Sequence, residues 1–216
     1  MTKTEKFENN GSSVVSTDDV FDRIIVSHKE KRIVSLCNSL HKRCSFNRGQ
    51  DIQTLCELAY WLYVAGDEEA VLMIAEYTHD APFPGKAIYN VWDYILYIWG
   101  LEVYLYIKHD DRDKAEYRIK KIDGILKVPL PKAYSSYDRQ LFAEEKRRER
   151  FTYPDVLQLN KIQMCDTKAW KRDYQISALY TMIGYTYTGI FPNLSAHKNE
   201  IEYYIQKYVN ELKSYL

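Results

Sequence analysis

Residues 58–77 read LAYWLYVAGDEEAVLMIAEY: an apolar-faced helix, a Gly-Asp turn, and a second helix facing back onto the first. On both sides of the turn apolar residues recur at helical spacing, and Gly66 supplies the left-handed backbone that a tight helix–helix connection needs. A weaker echo runs from Trp99 to Ile122, with Asp110-Asp111 at the turn and Ala115 in the second helix, but without the turn glycine. Neither hairpin hides its apolar face alone. Stacking one on the next does so, and a chain built that way usually works by presenting a surface.

The remainder of the chain reads the same way. No segment alternates apolar and polar residues over a strand's length, and only six prolines and eight glycines interrupt 216 residues. We read residues 1–15 as a disordered tail and 16–216 as a single all-α domain of about eight or nine helices. A first helix starts at Ser16 and Asp19, which have capping-box spacing. Its apolar face (Val20, Phe21, Ile24, Ile25, then Ile33, Leu36, Cys37, Leu40) carries it to Arg43. Helices follow over Gln50–Ala65 and Asp67–Thr78, then a Pro-rich break from Asp80 to Gly85, then helices over Ala87–Lys108 and Asp111–Leu126. A charged helix over Tyr137–Phe151 and a short apolar one over Tyr153–Met164 precede a long helix at Thr167–Tyr187. Ser195 caps the last helix, which runs to Lys213.

The first hairpin has Leu58, Ala59 and Leu62 before Gly66-Asp67, Ala70 after it and Pro82 beyond; in this it resembles a tetratricopeptide-like repeat. It departs from the family at Ala70, one residue early, and in the 44 residues between Asp67 and Asp111, where the family repeats about every 34. The resemblance therefore implies antiparallel helical hairpins in an irregular array. In such repeats the first helix of each pair lines a concave face, which puts Tyr60, Tyr63, Tyr97 and Tyr104 toward a groove. Either the four rings form an open aromatic strip beside Asp67, Glu68 and Glu69, or they pack between neighbouring hairpins. With 20 tyrosines against seven phenylalanines, much of the tyrosine has to fill the core. A small, tyrosine-rich helical chain with an Ala-Tyr-Trp-Leu-Tyr hairpin also looks like uncharacterised bacterial proteins of the toxin-immunity kind. Those act by plugging or covering a secreted toxin.

Net charge is zero, which argues against a dominant nucleic-acid or membrane footprint, but the charges are not evenly spread. Residues 50–107 carry nine acids against one base, Lys86, whereas 108–150 carry thirteen Lys or Arg against nine acids. Such a division serves either complementary packing of neighbouring helices or an acidic docking surface for a basic partner.

Motifs for chemistry are sparse. Cys37, His41 and Cys44 share a helix face but lack a fourth metal ligand, and no HExxH occurs. There is no phosphate-binding loop; Ser39-Leu40-His41-Lys42 lacks the companion motifs of a Ser-x-x-Lys enzyme. In the basic stretch Arg139–Arg150 the acids Glu144, Glu145 and Glu149 are interleaved at pairing distance, as on a solvated helix. The cysteines show no paired framework and Met1–Asp19 has no apolar signal core, so a cytoplasmic setting with reduced thiols is expected.

From these features we expect no catalytic, cofactor or metal site, no nucleic acid and no membrane. The expected function is a non-enzymatic protein-binding module: a bacterial immunity protein neutralising a basic toxin domain, such as a nuclease, by contact. Its partner-binding residues would be Tyr60, Tyr63, Asp67, Glu68, Glu69, Tyr97 and Tyr104. A second reading is a cytosolic scaffold gripping an extended peptide or a helix. A third, an enzyme with an unrecognised site, calls for a deep polar pocket where His, Cys or carboxylate groups converge.

Overall fold

A computed structural model of the chain describes residues 17–41, 44–81, 92–127, 167–190 and 192–216. Among these residues there are eight α-helices and no strand, so the chain is all-α. They are α1 (Thr17–Ser27), α2 (Lys31–His41), α3 (Gly49–Ala65), α4 (Glu68–Tyr77), α5 (Asp93–Lys108), α6 (Arg112–Leu126), α7 (Lys168–Tyr187) and α8 (Lys198–Leu212). Short 3₁₀ turns at Pro192–His197 and Lys213–Tyr215 flank α8. The expected tail, the start of the helix at Ala87, and the segments 137–151 and 153–164 lie outside the described residues.

Both hairpin turns use one device. At the end of α3, Gly66 takes φ 88°, the Asp67 N–H bonds the Leu62 carbonyl at 3.0 Å, and the Asp67 carboxylate accepts from the Ala70 N–H at 2.9 Å. After α5, Asp110 takes φ 58° in place of a glycine, and the Asp111 N–H bonds the Tyr106 carbonyl at 2.8 Å. The Asp111 carboxylate then caps α6 through the Lys114 N–H at 3.3 Å. Left-handed residue, six-to-one hydrogen bond and aspartate cap together reverse the chain and satisfy orphaned helix-end groups.

Helix α5 is the axis of the fold. Every residue from Ile95 to Leu105 is buried, because α3, α4, α6 and α7 pack around it. Its closest neighbour is α7, and glycines make that approach possible: a Cβ on Gly100 would lie 2.8 Å from the Gly184 Cα. Helix α8 then packs on α7, while α1 and α2 form an antiparallel pair against α3 and α4.

Two sequence expectations are corrected. The helix expected from Ser16 to Arg43 is two helices. Ser27 turns its hydroxyl back to the carbonyls of Arg23 and Ile24, and residues 28–30 leave the helix so that α2 folds back along α1. The face expected for a single helix skips from Ile25 to Ile33, and the break falls in that gap. Nor does Ser195 cap the last helix. It lies within the 3₁₀ turn, and α8 starts after His197 without a side-chain cap.

Candidate functional site

The tyrosine strip exists, and it is covered. Tyr60, Tyr63, Tyr97 and Tyr104 are all buried, so of the two arrangements expected they take the packed one and line no open groove: α7 lies along that face of α3 and α5. The Tyr60 hydroxyl lies 2.9 Å from the Tyr97 carbonyl and 3.3 Å from the Tyr180 carbonyl, in position to donate to α5 or α7. Tyr97 stacks on Tyr180 at 5.4 Å between ring centres, and its hydroxyl meets that of Tyr185. The Tyr63 hydroxyl reaches that of Tyr104, which takes a further bond from Gln206 on α8 and packs edge-on to Tyr187. Burial holds the Tyr60 and Tyr63 hydroxyls well above the usual tyrosine range, so they stay protonated. The rings fill space and satisfy carbonyls; they present no surface.

The three acids of the first turn have separate tasks. Asp67 caps α4 and also binds His28 at 2.9 Å, while the other ring nitrogen of His28 meets Glu30 at 2.9 Å. Glu68 holds Lys108 and His109 at the end of α5. Burial pushes its carboxyl up, but hydrogen bonds from those two residues outweigh this and leave it below the usual value. Acids of the middle segment and bases of the next thus pair across neighbouring helices. Glu69 is different: its side chain is 82% exposed, and its ion pair with Arg23 is loose at 3.6 Å.

Between α1 and α4 runs an open groove of about 470 Å³, lined by Asp22, Arg23, Val26, Asp67, Glu69 and Met73 among others. It brings together two of the expected partner residues, Asp67 and Glu69, with α1 residues that the sequence reading passed over. A signal was present. Val26 lies off the apolar stripe of its helix, and it is 88% exposed.

A second cluster, also missed, is buried. Glu102, with 2% of its side chain exposed, faces Arg118 Nε at 2.9 Å, His79 Nε2 at 3.1 Å and the Tyr106 hydroxyl at 3.1 Å. Arg118 Nη2 reaches His79 Nδ1 at 2.8 Å, and the guanidinium lies over Trp99. Arg118 Nη2 also lies 2.5 Å from His79 Nε2, so the guanidinium faces both ring nitrogens while Nε2 meets Glu102. With both ring nitrogens engaged inside the cluster, neither faces a substrate. Elsewhere, His41 turns to Asp22 at 3.6 Å and the Cys44 sulfur accepts from the Tyr77 hydroxyl at 3.4 Å. Burial pushes the Cys37 thiol up to about 12. Among the described residues no three His, Cys, Asp or Glu side chains converge as a metal site, and no helix is long and apolar enough to cross a membrane.

No curated protein and no solved structure matches the chain. A family match covers α1–α6 and leaves α7 and α8 outside it. Over residues 11–130, more than half of its length, the chain matches DUF6707, a family of unknown function, and it belongs to that family.

Proposed function

We propose that the chain is a non-enzymatic, cytoplasmic protein-binding module that acts by contact through its α1–α4 face. One observation carries the reading: the aromatic strip is used internally, while Glu69 and Val26 stand exposed at the rim of an open groove with Asp22 and Asp67. Carboxylates around an apolar floor suit a basic partner, since charge steers the encounter and apolar contact holds it. The finer form of the proposal is a bacterial immunity protein that covers a cognate toxin, with a nuclease as the kind of basic enzyme such a face fits.

The test is a pull-down from the native host, read against the product of any toxin-like reading frame found beside this one. Asp22→Lys with Glu69→Lys is expected to abolish capture and leave the helical melting curve intact. Full capture by that variant discards the face. Substituting Tyr60 or Tyr63 does not serve, because both are core residues.

A second reading, a scaffold that grips a helix, is favoured by one observation. The tyrosine face of α3 and α5 already holds a helix, α7, through ring stacking and carbonyl hydrogen bonds.

A further inference from the structure

Resting on that reading of the α1–α4 face, we propose that the groove receives a single arginine side chain from the partner. A helix or a folded surface of the partner docks over the groove and sends one long side chain into it, past the acids that line it.

Chemistry selects which side chain. Ile24 and Val26 from α1 and Ala70 and Met73 from α4 line the groove, and they suit an alkyl stem. Asp22 and Glu69 line the groove from opposite helices, their carboxylates 60% and 82% exposed, and Asp67 lines it too. An apolar stem with a cationic head matches this pattern, and a planar guanidinium fork, which pairs with a carboxylate through two parallel hydrogen bonds, suits it better than an ammonium point charge. The chain supplies its own stand-in. Arg23 already lies 3.6 Å from Glu69, an exposed pair of the kind that contributes little and yields to a better-placed cation. Arg23 is thus a competitor for Glu69, and the occupant's arginine displaces it.

The experiment uses the full chain with labelled Val and Met methyl groups and three blocked helical peptides. Their central residue is arginine, lysine or citrulline, the neutral isostere of arginine. Saturable shifts of the Val26 and Met73 methyls are expected with the arginine peptide, with affinity about tenfold weaker for citrulline and intermediate for lysine. Glu69→Gln should weaken the arginine peptide about tenfold, and Arg23→Ala should tighten it. Equal binding of arginine and citrulline peptides overturns the proposal, as does weaker binding in Arg23→Ala. Methyl shifts that depend on protein concentration without peptide also overturn it, since they make a second copy the occupant. Because no toxin enters this titration, its failure leaves the capture experiment untouched, and failed capture with a positive titration removes only the toxin reading.

Discussion

Aligned on their capping aspartates, Asp67 and Asp111, the hairpins α3–α4 and α5–α6 run in a 44-residue register. It sets Tyr60 on Tyr104, Cys56 on Gly100, Leu58 on Glu102 and Ile74 on Arg118. Their turns agree hydrogen bond for hydrogen bond; their interiors do not. Where α3 and α4 bury two aliphatic side chains, α5 and α6 bury an ion pair. The turn depends on a few local backbone bonds and repeats readily. The interior answers to neighbours: Glu102 also takes hydrogen bonds from Tyr106 and from His79, beyond the end of α4, so it ties the exit of one hairpin to the next. A buried pair is weak support for stability, because desolvation offsets most of its attraction. Its gain is orientation, for α6 meets Glu102 only in one register.

That contrast breaks most sharply at Arg118. Arg118→Ala strands a buried carboxylate and should cost about 3–5 kcal/mol, read from urea denaturation. Copying the first hairpin, with Glu102→Leu and Arg118→Ile together, should restore stability to within about 1 kcal/mol of the parent or exceed it. If the double variant stays as unstable as the single one, the ion pair holds the core and orientation is not its main contribution.

The next test is Cys56 against Gly100. One hairpin carries a side chain at this register position; the other has none, because α7 crosses there against Gly184. Gly100→Ala forces backbone apart and should cost about 1–3 kcal/mol, with α7 amides losing protection first. Cys56→Ala removes one buried sulfur and should cost about 1 kcal/mol. Equal effects would show that the crossing has slack.

Legibility in the sequence followed the same division. Gly66-Asp67 and Asp110-Asp111 mark both turns, and the expected helices at Gln50, Asp67, Asp111 and Thr167 begin within one residue of α3, α4, α6 and α7. The tetratricopeptide-like resemblance put Tyr60, Tyr63, Tyr97 and Tyr104 on one face but said nothing of what covers it, since the covering helix lies far along the chain at Lys168–Tyr187. The break at His28 has no Gly or Pro to announce it; side-chain bonds to Glu30 and Asp67 hold it. Groove residues Asp22, Arg23 and Val26 went unnoticed because that break, hidden in the sequence, sets α1 beside α4.

A smaller effect concerns the join between the two turns, where Glu68 of one hairpin holds Lys108 and His109 of the other. Its carboxyl sits below the ordinary 4.5, so its contribution is complete above that value and fades as pH falls through the lower folded value. Urea midpoints should therefore decline below pH 4.5 in the parent chain and decline less in Glu68→Gln. The difference should be about 1 kcal/mol or less, since Lys108 and His109 are solvent-exposed partners. A Glu68→Gln curve that superimposes on the parent's would leave the two turns without an electrostatic join.

The smallest effect is also the most direct comparison of the turns. Gly66 and Asp110 occupy equivalent positions with φ of 88° and 58°, yet only Gly66 adopts that backbone without opposing its own Cβ. Aspartate tolerates the left-handed region better than most residues, so Asp110 carries strain nearer about 1 kcal/mol than about 2 kcal/mol. Glycine relieves that strain and gives back part of the gain through the greater freedom of the unfolded chain. The Asp110 carboxylate does reach Arg112 at 3.1 Å, but both side chains are largely in water and their pairing contributes little. Asp110→Gly should therefore stabilise the chain by about 0.5 kcal/mol, and Gly66→Ala should destabilise it by about 1 kcal/mol. Asp110→Ala separates the two causes. It loses the carboxylate and keeps the strain, so a loss there beside a gain in Asp110→Gly assigns the difference to backbone, whereas losses in both assign it to the Arg112 contact.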